Sequence, residues 1–234
     1  MKLTRRNFIK LAGITGVVAL TGGLAGCDNK SATTKNIAVA EKIPPADKAA
    51  VYFSKTIDAE HLIALYQKIN SQIVGKVAIK LHTGEPKGPN ILQPKLVQPF
   101  QAQIPNSTII EANVAYGGPR STTEGHRRVL KANGWTFCPV DIMDADETTV
   151  SLPVRNGFHL KEVAMGAHLT NYDSLIVLTH FKGHAMGGFG GSNKNIGIGC
   201  ADGRIGKKEI HTVVGSDNMW SIAEEELMER ISES

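Results

Sequence analysis

The sequence predicts an α/β fold, a mostly parallel sheet with helices on both faces. Short runs rich in Val and Ile alternate with stretches of helical period from about residue 50 onward, the pattern of successive βαβ units. Polar and charged side chains gather directly after several of those runs, where open parallel sheets bind ligands. A hydrophobic fraction of 41% against 21% charged residues is enough to build a core in a chain of 234 residues.

Taken in order, Val51–Ser54 is a short strand candidate. Asp58 is placed to cap a helix running to about Asn70, with Leu62, Ile63, Leu65, Tyr66 and Ile69 on one broad face. Lys76–Leu81 reads as a strand. Pro94 suits the first turn of a helix through Ala102, and Ser107–Ala112 is the next strand. Thr122 or Thr123 caps a helix to Asn133, which Gly134 ends. Trp135–Val140 reads as a strand, 159–170 as helical and Ser174–Thr179 as a strand. A final amphipathic helix covers 217–232. No strand follows it, so the domain reads as C-terminally truncated.

The first 27 residues read as a targeting segment. Thr4-Arg5-Arg6-Asn7-Phe8-Ile9-Lys10 matches the twin-arginine export signature. Leu24-Ala25-Gly26-Cys27 resembles a lipoprotein cleavage box, which makes Cys27 the expected lipidation site. Residues 28–49, with Pro44-Pro45, read as a flexible tether before a domain covering 50–234. The expectation is an exported protein, lipid-anchored to the outer face of the cytoplasmic membrane, with the twin-arginine machinery and the membrane as partners. Lys2, Arg5, Arg6 and Lys10 account for the whole net charge of +4, so the remainder is balanced and does not point to nucleic acid.

The stretch His180–Cys200 is dense in glycine and also carries two histidines, two lysines and a cysteine. Glycine at that density lets backbone approach a ligand closely. Neither a P-loop nor a G-x-G-x-x-G pattern is present, which argues against nucleotide binding. His180, Cys200 and His211 are candidate ligands for Ni, Fe or Zn. His184, Lys194 and Lys182 are candidate catalytic groups for acid–base chemistry. Lys80, His82, Glu85, Arg120 and Asn195 are candidate contacts to a small anionic substrate. Arg120 has an alternative partner in Glu124. His61, His159 and His168 read as packing or surface residues, and Cys138 as a buried, inert thiol.

Val77–Pro86, Gly117–His126 and Phe181–Cys200 resemble the DUF362 family of bacterial proteins over about residues 50–215. Members often carry a C-terminal ferredoxin-like part with iron–sulfur clusters. This sequence has no C-x-x-C-x-x-C run, so no such cluster is expected within the chain. The pattern His184-x4-Phe-Gly-Gly-x2-Lys194 is more distantly similar to the nickel-pincer lactate racemase family. That similarity implies an acid–base role for His184, a cofactor-holding role for Lys194 and a nickel ligand in His211. Pro119 stands where that family has its second catalytic histidine, so the racemase reaction does not carry over. The expected function is a metal- or cofactor-dependent redox or acid–base enzyme, or its accessory. The alternative is a non-catalytic solute-binding lipoprotein for a small anion.

Overall fold

In β1 (Val77–Lys80) every residue is buried, as a strand covered on both faces requires. It pairs in parallel with β2 (Ser107–Glu111) on one side and β6 (Ser174–Val177) on the other, and β2 pairs in parallel with β3 (Val140–Ile142). The strand order is β3-β2-β1-β6. The chain thus steps from β1 outward through β2 and β3, then returns to place β6 on the opposite flank of β1. The crevice between the C-terminal ends of β1 and β6 is a topological switch point, the position where such sheets take ligands. The computed structural model describes residues 49–88, 90–184, 188–213, 216, 218 and 221–234. Residues 54–234 form one compact unit. The export signal, Cys27 and nearly all of the tether lie outside the described residues.

Period-two alternation sorts the sheet's side chains into two cores. Val77, Ile79 and Ile109 face one layer with Val97, Phe100, Leu130 and Trp135. That layer is built by α1 (Ala59–Ile69), α2 (Pro94–Gln101) and α3 (Thr123–Ala132). Ala78 and Ile110 face the other, with Met143, Val163, Met165, Ile198, Cys200 and Ile210. Here the cover is an antiparallel pair, β4 (Thr149–Pro153) with β5 (Glu162–Gly166), together with α4 (Ser192–Cys200) and α5 (Gly206–His211). α6 (Glu224–Glu233) packs against α4 and α5.

The caps follow the sequence. The Asp58 side chain accepts from His61 N and that of Thr122 from Gly125 N. Five expectations need correction. The final helix, read over 217–232, begins only at Glu224, after Ala223 in extended conformation. Val51–Ser54 forms no strand, and the strand read at 135–140 begins only at Val140, because Trp135 turns inward to donate its indole N–H to the Thr83 carbonyl at 2.8 Å. Residues 159–170 are not helical: Glu162–Gly166 is a strand and Ala167–Asn171 a 3₁₀ turn, tertiary pairing with β4 having overridden local propensity. The stretch 180–200 is not one loop. It holds a small ribbon, β7 (Lys182–His184) paired with β8 (Gly188–Gly190), and then α4.

Candidate functional site

Two opposite charges close two apolar strands. Lys80 ends β1 and Glu111 ends β2, and both are buried, at 1% and 3% exposure. The Lys80 ammonium donates to Glu111 Oε1 at 2.8 Å, to Asn195 Oδ1 at 3.0 Å and to the Leu81 carbonyl, which uses all three of its protons. Glu111 also accepts from Thr83 N at 2.9 Å and Thr83 Oγ1 at 3.1 Å, and its Oε2 lies 3.2 Å from Arg120 NH2. Burial by itself raises the Glu111 pKa, but Lys80 and Arg120 outweigh it and hold the carboxyl well below its usual range.

Arg120, 2% exposed, extends this network. Its NH1 donates to Glu85 Oε1 at 2.8 Å, and Tyr116 donates its hydroxyl to the same oxygen at 2.7 Å. Its Nε donates to His126 Nε2 at 3.2 Å, so the buried ring carries its proton on Nδ1, which faces Asn113 Oδ1. Desolvation pushes His126 down to about 4, consistent with a neutral ring. Glu124, the other partner weighed for Arg120, pairs with Arg128 instead.

Above this network a cavity of about 480 Å³ opens at the β1/β6 switch point. Asn195 ties its α4 wall to the sheet, donating to the Leu178 carbonyl at 3.2 Å and Thr179 Oγ1 at 3.1 Å. α4 lies close because Gly199 has no side chain: a Cβ there would stand 3.0 Å from Lys80 Nζ. The β7–β8 ribbon adds Lys182 and His184, and α4 adds Lys194. Burial, with Lys182 and Lys80 nearby, brings the Lys194 amine down to about 8. Burial and the same lysine-rich surroundings, led by Lys194, bring His184 down to about 4. His211 donates Nδ1–H to the Lys207 carbonyl at 2.6 Å, leaving Nε2 as the acceptor nitrogen of the neutral ring.

The structure brings together Lys80, His82, Glu85, Arg120, His180, Lys182, His184, Lys194, Asn195 and His211, all of which line the cavity. Lys80 and Arg120 do so as members of a network whose charges are met by Glu111 and Glu85. Among the described residues, His180 Nδ1 is a buried atom without a hydrogen-bond partner. Cys200 is not part of the cavity lining. It sits at 0% exposure in the second core, its thiol pKa raised by burial. Among the described residues no three His, Cys, Asp or Glu side chains stand close enough to hold a metal ion.

Sequence reasoning missed Glu111, His126 and Lys207. Glu111 was marked by being a carboxylate directly after the buried pair Ile109-Ile110, one strand away from Lys80. Lys207 is buried and donates to the carbonyls of Asn113 at 2.6 Å and Ala201 at 2.7 Å, with its own pKa brought down to about 8 by desolvation. Nothing in its local sequence marks it, since Lys207-Lys208 reads as a solvated pair.

Fold and site define a parallel α/β protein with a cationic cavity at the switch point of its sheet. Residues 77–234 match the model of the family described as Domain of unknown function (DUF362), and the chain belongs to that family. The match starts at β1 and runs through every element that lines the cavity. Neither the curated proteins nor the solved structures give a match to this chain.

Proposed function

We propose that the strand-end cavity binds a small anionic substrate, with which His184 and Lys194 exchange protons. The observation that carries this reading is the cavity's uncompensated charge. Glu111 and Glu85 neutralise Lys80 and Arg120, whereas Lys182 and Lys194 pair with no carboxylate among the described residues. A carboxylate or phosphate on a ligand supplies the missing counter-charge. Lys194 near 8 titrates close to neutral pH, where acid–base catalysis is most effective, and His184 offers a neutral ring beside it.

The test is calorimetric titration of the full chain with a panel of small carboxylates and phosphates, followed by proton NMR in deuterium oxide. A ligand that binds and then exchanges a C–H proton or is converted identifies an enzyme. A ligand that binds unchanged identifies a solute-binding protein. Absence of binding across the panel contradicts both forms of the reading.

We also propose that the chain is exported by the twin-arginine route and anchored through lipid on Cys27. The ordered signature and cleavage box within residues 1–27 support this. Among the described residues no helix is long and apolar enough to cross a membrane. Metabolic labelling with a radioactive fatty acid tests the anchor: Cys27→Ser should abolish the label, and persistence of the label would contradict it.

A further inference from the structure

Four lysines line the cavity, and their surroundings differ. Lys80 spends all three donors on Glu111, Asn195 and the Leu81 carbonyl. Lys207 is held by two backbone carbonyls at 2.6 and 2.7 Å. Lys182 lies half-buried on the ribbon and, among the described residues, its amine reaches the Gly183 carbonyl at 3.5 Å. Lys194 sits on the first turn of α4 and, among the described residues, its amine has no hydrogen-bond or ion-pair partner. Its charged neighbours are the cations Lys182 and Lys80. A desolvated amine beside other cations and free of a carboxylate is the arrangement that turns lysine into a nucleophile.

We propose that Lys194 forms an imine with an anionic carbonyl compound, a 2-oxo carboxylate or an aldehyde phosphate, whose anionic group pairs with Lys182. This rests on the anion-site reading above and adds the carbonyl to the substrate class. The Nζ lone pair attacks the carbonyl carbon, a C–N bond forms, and the C=O π pair moves to oxygen. The oxygen takes one proton to give a carbinolamine. It then takes a second and leaves as water, while the nitrogen lone pair closes the C=N bond. Both hydrogens of the water come from the amine, so the step is balanced without oxidant or reductant. The His184 ring, neutral and in the same cavity, relays protons from nitrogen to oxygen.

Lys194 is chosen over exposed lysines for a quantitative reason. An amine near 8 rather than 10.5 is unprotonated about three-hundredfold more often at neutral pH.

The experiment incubates the full chain separately with pyruvate and with pyridoxal 5′-phosphate, reduces with sodium borohydride, and maps the lysine-bearing peptides by mass spectrometry. The expected result is an adduct at Lys194 that forms at least about tenfold faster than at the exposed Lys68 and Lys95. Labelling by pyruvate alone selects the carboxylate class, and labelling by pyridoxal phosphate alone selects the phosphate class. Lys194→Arg should lose the adduct while still binding propionate or inorganic phosphate, since the charge is kept. Equal labelling of Lys194 and the exposed lysines overturns the proposal. So does calorimetric binding of either probe that leaves no reducible adduct, and in that case the anion site itself stands. If neither probe nor propionate nor phosphate binds, the anion-site reading falls as well.

Discussion

Replacing Glu111 with glutamine keeps the outline of the side chain and removes its charge, and the buried network sets the cost. Lys80 and Arg120 are 1% and 2% exposed, so neither cation regains water when its partner is neutralised. Removing one member of a buried ion pair typically costs about 3–5 kcal/mol. Glu85 still faces Arg120, and Asn195 and the Leu81 carbonyl still accept from Lys80, so the lower end of that range, about 3 kcal/mol, is expected. For a domain of this size that is a fall in Tm of roughly 6–12 °C. The sign with pH follows from the depressed carboxyl. Glu111 contributes stability that is present above its unfolded pKa near 4.5 and is lost as pH falls through the lower folded value. The deficit of the variant is therefore full at neutral pH and shrinks in acid. Circular dichroism during urea unfolding, at neutral pH and again well below pH 4.5, measures both. A loss under about 1 kcal/mol at neutral pH, or an equal loss at both, would refute the network's role.

Two further outcomes concern the scaffold. Gly206→Ala places a Cβ 1.9 Å from the Ala164 carbonyl oxygen, so α5 must shift off β5, at a cost of about 1–3 kcal/mol or more; an unchanged urea midpoint would show that α5 is not seated as described. His168 bridges Asp141 at 2.8 Å and Asp146 at 3.1 Å, and hydrogen bonding to Asp141 raises its pKa. Its contribution is thus fully present below its unfolded value of 6.5 and is lost as pH rises through the folded pKa. His168→Gln should lower Tm more at pH 5.5 than at pH 8.5, and equal shifts at both would argue against a protonated bridge.

The parallel sheet was legible because β1 and most of β2 are buried on both faces and, like the half-buried edge strand β6, read as continuous Val/Ile-rich runs. The location of the site was legible because polar residues follow those runs, at Lys80–Glu85, at Arg120 and after Val177. The β4–β5 pair was not. Residues 159–170 carry apolar side chains at spacings that suit a helix, and pairing with Thr149–Pro153, a contact invisible to local pattern, decides in favour of a strand. The glycine-rich stretch misled in another way. Glycine in Ser192–Cys200 reads as loop, yet a helix forms there, and Gly199 leaves room for the Lys80 amine. The division of labour among the cations was also hidden. Lys80, Arg120 and Lys194 look alike in sequence, and only the positions of Glu111 and Glu85 separate the neutralised pair from the lysine left without a carboxylate.

The central claim is that Lys182 and Lys194 make an anion site whose occupancy depends on protonated lysine. The most direct measurement is the calorimetric affinity of the full chain for a bound carboxylate or phosphate as pH is raised from 6.5 to 9.5, for the native protein and for Lys194→Arg. With Lys194 near 8, affinity should hold at the acidic end and then fall as pH rises, approaching about tenfold per pH unit. Binding should be accompanied by proton uptake near pH 8, and Lys194→Arg should flatten the fall. An affinity that is constant across this range in the native protein, or a fall that persists unchanged in Lys194→Arg, would contradict the account.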